Sequence, residues 1–179
     1  MTNAISYAFG DSSLGSFVAA VSGRGLAFMS FDADLADLER RFPDATLIED
    51  PAVLERTIAS LVALIDRTES DPAFTLDLQG PAFACRVWNA LREIPAGTTT
   101  TYGEIAARLG EPRLAREVGE ACAANELAVV VPCHRVVKKD GSVSGYRWGV
   151  WRKRALLERE HRARLLQPLA AGPHGDVAI

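Results

Sequence analysis

The hydrophobic pattern changes its period at about residue 80. Before that point, short stretches alternate apolar and polar residues, and glycine-containing turns separate them, which is typical of hairpin strands. These strand-like stretches are 5–9, 16–21, 26–31 and 74–78. Two helical patterns, 32–42 and 51–65, lie between them. The pattern predicts an α/β domain over 1–80, with a small antiparallel sheet and packing helices.

The pattern after the break at 79–81 is helical. An apolar stripe begins at Phe83, and the Thr101-x-x-Glu104 spacing is that of a capping box opening a second helix. A third helix is predicted from about Arg113. Two short helices joined by a tight break, with Arg113 and Arg116 facing outward, make a helix-turn-helix candidate. Helix pairs of this size are also common as packing units. We therefore predict a mainly α domain over 81–165, followed by a flexible tail over 166–179.

Charge is divided unequally between the two halves. Residues 1–80 carry 5 Arg and no Lys against 13 Asp and Glu, a net charge of −8. Residues 81–179 carry 15 basic and 10 acidic side chains, a net charge of +5. A basic half fits a module that contacts DNA phosphates, although a solvated charge pattern without a partner fits it about equally well.

The three cysteines, Cys85, Cys122 and Cys133, form no C-x-x-C pair, which argues against a disulfide framework and against a zinc site. Without a ligand cluster or a glycine-rich phosphate loop, we expect neither a metal nor a cofactor. No apolar run approaches the roughly 18 residues that a membrane span requires. We therefore expect a cytoplasmic protein with no membrane contact.

The stretch 129–137 (VVVPCHRVV) places a thiol, an imidazole and a guanidinium inside an apolar run. Its β-branched residues and Pro132 predict extended chain that turns at the cysteine. Free cysteine is often buried and inert. A neighbouring imidazole, however, is the usual means of obtaining a thiolate, so both a structural and a reactive thiol remain open here.

Residues 132–136 (PCHRV) and 144–149 (SGYRWG) identify the wider resemblance. With further matching motifs over 83–160, the sequence resembles the methylguanine-DNA methyltransferase family, and is closest to the C-terminal repair domain of Ada-type proteins. The resemblance implies a ribonuclease H-like first domain and a winged helix-turn-helix-like second domain. It also implies a monomer that acts on double-stranded DNA containing alkylated guanine, without a cofactor.

The activity that the resemblance implies is single, irreversible transfer of an alkyl group from O6 of guanine, and from O4 of thymine, to Cys133. His134 resembles the residue that activates the thiol through a bridging water. Glu160 resembles the carboxylate that polarises the imidazole, and Asn125 the residue that braces the network.

The resemblance also implies residues that contact DNA. Arg116 resembles a finger that fills the space of an extruded nucleotide, with Arg113 beside it. Tyr102 resembles the residue that helps to rotate the nucleotide and donates a proton to the departing guanine. Tyr146 resembles a wall of the base pocket. Two departures from the family pattern, Glu117 after the finger and Glu126 after the asparagine, are expected to weaken DNA binding.

Two other functions are compatible with parts of the sequence. A non-catalytic protein that binds alkyl lesions would resemble this chain but lack the cysteine, so Cys133 argues against it. A cysteine hydrolase would use Cys133, His134 and Glu160 as a triad. It would also need an oxyanion hole, and no separate glycine-rich donor loop precedes the thiol.

Overall fold

The structure is a computed structural model that describes residues 3–67 and 73–166. A four-stranded sheet forms the first half, in the order β3-β2-β1-β4. Its strands are β1 (Asn3–Ser12), β2 (Gly15–Ser22), β3 (Gly25–Phe31) and β4 (Ala45–Glu49). The first three strands are antiparallel, as predicted, whereas β4 runs parallel to β1. The sheet is therefore mixed, and the prediction of a purely antiparallel sheet was wrong.

Two helices accompany this sheet. Helix α1 (Leu35–Arg41) begins at a capping box in which the side chains of Asp34 and Asp37 each accept the other residue's backbone N–H. Helix α1 also connects β3 to β4, and this crossover is what lets β4 lie parallel to β1. Helix α2 (Pro51–Arg67) packs on the sheet through its buried leucines and an isoleucine.

The second half is mainly helical. Its helices are α3 (Ala82–Arg92), α4 (Tyr102–Arg108), α5 (Ala115–Ala123) and α6 (Val150–Leu166). Two short strands, β5 (Thr100–Thr101) and β6 (Val136–Val137), pair in parallel. The predicted capping box is present, with Thr101 as the N-cap of α4 and Glu104 bonded back to it. Helix α5 begins two residues after Arg113, which the prediction had placed inside it.

One apolar core runs through both halves. Phe17 and Met29 from the sheet, and Leu61 from α2, belong to the same cluster of buried side chains as Leu91 and Leu156. The division into domains at 1–80 and 81–165 therefore stays a prediction.

Two isolated β-bridges extend the outer edge of β3. Leu26 pairs with Leu76, and Met29 pairs with Leu127. The stretch 74–78, predicted to be a strand, makes only the first of these bridges, because the chain leaves the sheet edge on either side of it. The predicted flexible tail lies outside the described residues beyond Leu166. Within 3–67 and 73–166, no helix combines the length and apolarity needed to cross a membrane.

Candidate active site

The segment 129–137, which contains Cys133, begins as a series of tight turns, in contrast to the extended chain predicted for it. Backbone N–H groups of Val130 and Cys133 donate to the carbonyls two residues earlier, at 2.7 and 2.8 Å. Val129 has a φ of 67°, in the left-handed region that β-branched residues avoid. The predicted turn at the cysteine is present: Cys133–Arg135 forms one 3₁₀ turn, and β6 follows it. Tertiary contacts thus override the strand preference of the valines.

The Cys133 thiol is buried, with 5% of the residue exposed. Nδ2 of Asn125 donates to its Sγ at 3.3 Å and to the Val131 carbonyl at 2.9 Å. Oδ1 of Asn125 accepts the N–H of Leu127, so both ends of the amide are held. Burial raises the pKa of the Cys133 thiol, while the Asn125 hydrogen bond and the charge of Lys153 act against that increase. These two groups are therefore placed to stabilise a thiolate.

The ring of His134, the next residue in the 3₁₀ turn, hydrogen-bonds to a side chain of α6. Its Nε2 is 2.7 Å from Oε1 of Glu160, and both side chains are almost completely buried. Nε and Nη2 of Arg135 donate to the same carboxylate at 2.9 to 3.2 Å. The backbone N–H of Gly97 donates to its Oε2 at 3.2 Å. Glu160 is thus the centre of a buried polar network.

The protonation states of this network follow from its contacts. Burial would raise the pKa of Glu160, but the hydrogen bonds and charges of His134 and Arg135 outweigh it and lower that pKa to about 2. An ionised carboxylate only accepts hydrogen bonds, so Nε2 of His134 donates. Burial lowers the pKa of His134. The imidazole is therefore neutral near pH 7, with the lone pair on Nδ1, which has no hydrogen-bond partner among the described residues.

A second polar chain connects α4 to α6. The hydroxyl of Tyr102 is 2.5 Å from Oγ of Ser144, and Nζ of Lys153 donates to the same Oγ at 2.8 Å. Lys153 is 1% exposed and also donates to the Val136 carbonyl at 2.6 Å. Burial lowers the pKa of this ammonium group, and the neighbouring Cys133 and Cys122 act in the opposite direction. Tyr102 is thereby linked to a buried cation close to the thiol.

The glycine-framed loop 144–149 closes the site on another side. Tyr146 packs edge-on against Trp148, with ring centroids 5.1 Å apart, and its hydroxyl is buried. Nε1 of Trp148 donates to Oγ of Ser30 on β3, at 2.8 Å. Burial raises the pKa of Tyr146 well above its usual value, so it stays a neutral phenol. The loop is consequently fixed to the N-terminal sheet.

Helix α5 presents the predicted DNA-contacting arginines. Arg116 is exposed, and its Nε donates to Oε1 of Glu120, one turn later, at 3.2 Å. Arg113 is exposed in the turn before the helix. A Cβ atom on Gly119 would lie 3.8 Å from the ring of Tyr102, so α5 and Tyr102 adjoin one another. Within 3–67 and 73–166, no cluster of three or more His, Cys, Asp or Glu side chains could hold a metal ion.

Comparison with known proteins agrees with the family resemblance seen in the sequence. The family described as 6-O-methylguanine DNA methyltransferase, DNA binding domain, matches residues 82–162. The inducible methylated-DNA–protein-cysteine methyltransferase of Bacillus subtilis is 40% identical over 124 residues, which cover 69% of each chain. The chain belongs to the methylguanine-DNA methyltransferase family. A crystal structure of Mycobacterium tuberculosis OGT in complex with DNA is 36% identical, with a TM-score of 0.78, covering 88% of this chain and 94% of that one.

The Ada protein of Escherichia coli, named a bifunctional transcriptional activator and DNA repair enzyme, is 41% identical over 161 residues. That match covers 88% of this chain and 46% of Ada. The chain therefore spans about half the length of the Ada-type relatives in this methyltransferase family.

The fold brings together four of the residues singled out from the sequence: Cys133, Asn125, His134 and Glu160. Tyr102 is linked through Ser144 to Lys153, which lies near the thiol, and Arg135 binds Glu160. The sequence had assigned no role to Arg135, Ser144 or Lys153. The apolar run marked Arg135 without indicating its partner. Lys153 lies between two arginines, so nothing local shows that the fold buries it. Ser144 stood inside the recognised motif, which marked the loop without marking the hydroxyl. Arg116, on the exposed side of α5, and Arg113, in the exposed turn before that helix, lie apart from them.

Proposed function

We propose that this chain repairs DNA by transferring a methyl or other alkyl group from O6 of guanine, and from O4 of thymine, to Cys133. It acts once per molecule. The observation that carries the proposal is a buried thiol whose next residue in the chain is a neutral, buried imidazole, with the orientation of that imidazole fixed by an ionised carboxylate. Family membership, together with the identity to methyltransferases named for this reaction, supports it.

The reaction begins with loss of the thiol proton. Nδ1 of His134 accepts that proton through a bridging water, and Glu160 stabilises the resulting imidazolium. Nδ2 of Asn125 stabilises the thiolate. The sulfur then attacks the alkyl carbon, so that an S–C bond forms and the C–O6 bond breaks, with the electron pair passing to guanine. Because a thioether is a very poor leaving group, Cys133 is not regenerated.

The departing guanine needs a proton, and the phenol of Tyr102 supplies it. Ser144 can return a proton to Tyr102 because the two oxygens are 2.5 Å apart, and Nζ of Lys153 donates to Ser144 in turn. The ammonium group also stabilises negative charge that develops on the phenol oxygen. Proton transfer through this chain balances the charge that the thiolate delivers to the base.

An alkylated guanine inside a duplex is out of reach of a buried thiol, so the nucleotide must be flipped outward. Arg116 fills the space it leaves, Arg113 contacts phosphate, and the ring of Tyr146 forms a wall of the base pocket. The protein acts as a monomer on double-stranded DNA in the cytoplasm. Helices α4 and α5 form the winged helix-turn-helix-like unit, and the order β3-β2-β1-β4 supports a ribonuclease H-like sheet.

The test is intact-protein mass after incubation with excess duplex oligonucleotide containing one O6-methylguanine. We expect a gain of one methylene mass, stopping at one per molecule and mapping to Cys133 by peptide analysis. Cys133→Ser, and an unmethylated duplex of the same sequence, serve as controls and should show no gain. Lesion binding without any mass gain would overturn the proposal in favour of a protein that only recognises alkylated DNA.

A further inference from the structure

The turn that carries Asn125 depends on contacts from outside it as well as on its own hydrogen bonds. Between Asn125 and Cys133 the chain contains the left-handed Val129 and two three-residue turns, conformations that persist only when surrounding structure enforces them. Displacement of this turn would withdraw the amide from the thiol, because Asn125 makes the hydrogen bond of 3.3 Å to Sγ. External contacts of the turn therefore bear directly on the nucleophile.

Those contacts come mainly from the N-terminal half. Met29 on β3 donates its N–H to the Glu126 carbonyl at 2.8 Å and accepts the N–H of Ala128 at 2.9 Å. Arg147 donates to the Asn125 carbonyl at 3.2 Å. The side chain of Glu126 forms an ion pair with Nε of Arg41, which lies 85 residues away at the end of α1.

Arg41 is itself held in place. Its guanidinium lies 4.8 Å above the ring of Phe42, which is 5% exposed, and Nη2 donates to the Gln79 carbonyl at 3.4 Å. The side chains of Arg41 and Glu126 are 19% and 27% exposed. An ion pair so sheltered, with one partner stacked on a buried ring, is a firmer constraint than a fully exposed pair. The charge of Glu126 is therefore paired within the protein, and its expected effect on DNA binding stays a prediction.

We propose that the Arg41–Glu126 ion pair is a positioning device of this site: it fixes the turn of residues 125–131, and with it the Asn125 amide, against the Cys133 thiol. This inference rests on the proposed alkyl transfer and adds to it a pair that touches neither substrate nor sulfur. Loss of either charge lets the turn move, so that Asn125 stabilises the thiolate less and the thiol reacts more slowly.

Several other groups face the thiol and influence its titration. They lie on four different elements, and none of them changes in the proposed variants: Tyr102 on α4, Cys122 on α5, Tyr146 and Arg147 in the loop, and Lys153 on α6. A change in the pH profile on removing the distant pair therefore reports movement of the turn.

The experiment compares Glu126→Gln, Arg41→Met, the double variant and Arg41→Lys, which keeps the charge. Arg40→Met is the matched control, because Arg40 occupies the same last turn of α1 and pairs with Asp37 in its own helix. For each protein we would measure single-turnover methyl transfer, iodoacetamide labelling of Cys133 as a function of pH, and the melting temperature. Labelling is followed by peptide mass, so that Cys85 and Cys122 do not interfere.

We expect each charge-removing substitution to slow both reactions of Cys133 roughly tenfold, and the double variant to be no slower than the slower single variant. The pH profile of labelling should move to higher pH. Arg41→Lys should recover most of the rate, and Arg40→Met should stay within about twofold of wild type. Unchanged labelling profiles, even with lowered melting temperatures, would overturn the inference and leave the pair a stability contact. If wild type takes no methyl group from the oligonucleotide, the proposed function fails, and the labelling profiles still decide the positioning role.

Discussion

The imidazole of His134 lies 2.7 Å from the carboxylate of Glu160, to which it donates from Nε2. The same carboxylate accepts two N–H groups of Arg135. Glu160 therefore does two things at once: it fixes the tautomer of the imidazole, and it is kept ionised by a guanidinium that cannot lose its proton. The basic nitrogen of His134 is thereby directed away from α6.

Glu160→Gln should slow single-turnover methyl transfer roughly 100-fold, because a neutral amide stabilises an imidazolium poorly. Glu158→Gln is the control, since Glu158 lies on the same helix but is exposed and forms a surface salt bridge with Arg162. Affinity for methylated duplex should stay within about threefold of wild type, because the carboxylate is buried. Equal losses of DNA affinity and of methyl-transfer rate would show that Glu160 only maintains the folded structure.

Ser144→Ala should slow methyl transfer about tenfold and leave iodoacetamide labelling of Cys133 unchanged, because the relay serves the leaving base and iodide needs no proton. Ser142→Ala is a matched control, since its hydroxyl bonds only to Asp140 in the exposed turn. Rapid quench with methylated duplex, beside labelling at the same pH, would measure both steps. Equal slowing of methyl transfer and of labelling would contradict the proton relay and show that Ser144 only supports the structure of the site.

Arg116→Ala should reduce transfer from duplex DNA about tenfold or more and leave reaction with free O6-methylguanine base unchanged. The reason is that only the duplex requires a flipped nucleotide, at a cost of a few kcal/mol. Rate constants with the two substrates would be compared, with the exposed Arg40→Ala as control. An equal effect on the rates with duplex DNA and with free base would exclude the proposed role of Arg116 in filling the space of the flipped nucleotide.

Acid should destabilise the protein through Glu160. Its folded pKa is about 2, below the usual 4.5, so the stabilising contribution is complete above pH 4.5 and disappears as pH falls from 4.5 towards 2. A shift of this size corresponds to about 3 kcal/mol. Urea unfolding at pH 7 and pH 3.5 should show the loss in wild type and in Glu158→Gln, and a smaller loss in Glu160→Gln. An equal loss in all three proteins would contradict the assignment.

Local signals in the sequence predicted local structure well. The capping box of Thr101 and Glu104 was found because its residues are three positions apart. The hairpins of β1 to β3 were found because alternation and glycine turns lie within single stretches. Strand β4 was missed, since it is a half-exposed edge strand whose neighbour, β1, determines its direction.

Signals that depend on distant contacts were misread or absent. The valines at 129–131 favour a strand, yet contacts with Met29 and Asn125 hold them in turns. The apolar run around Arg135 marks this arginine, but nothing local identifies its partner, because the carboxylate it binds is 25 residues away. Recognition of the family motifs supplied the candidate roles, whereas the geometry of the polar network required the folded chain.

The bridge between Met29 and Leu127 also bears on how the chain avoids aggregation. Strand β3 is an outer strand of the sheet, and its unpaired backbone groups would be a template for strands of other molecules. Leu76 and Leu127 cover that edge. During synthesis the sheet emerges first, so the part of its edge at Met29 stays open until about a hundred further residues have been added. The segment that ends at the reactive thiol is therefore also the protective cover of the sheet, and it arrives late.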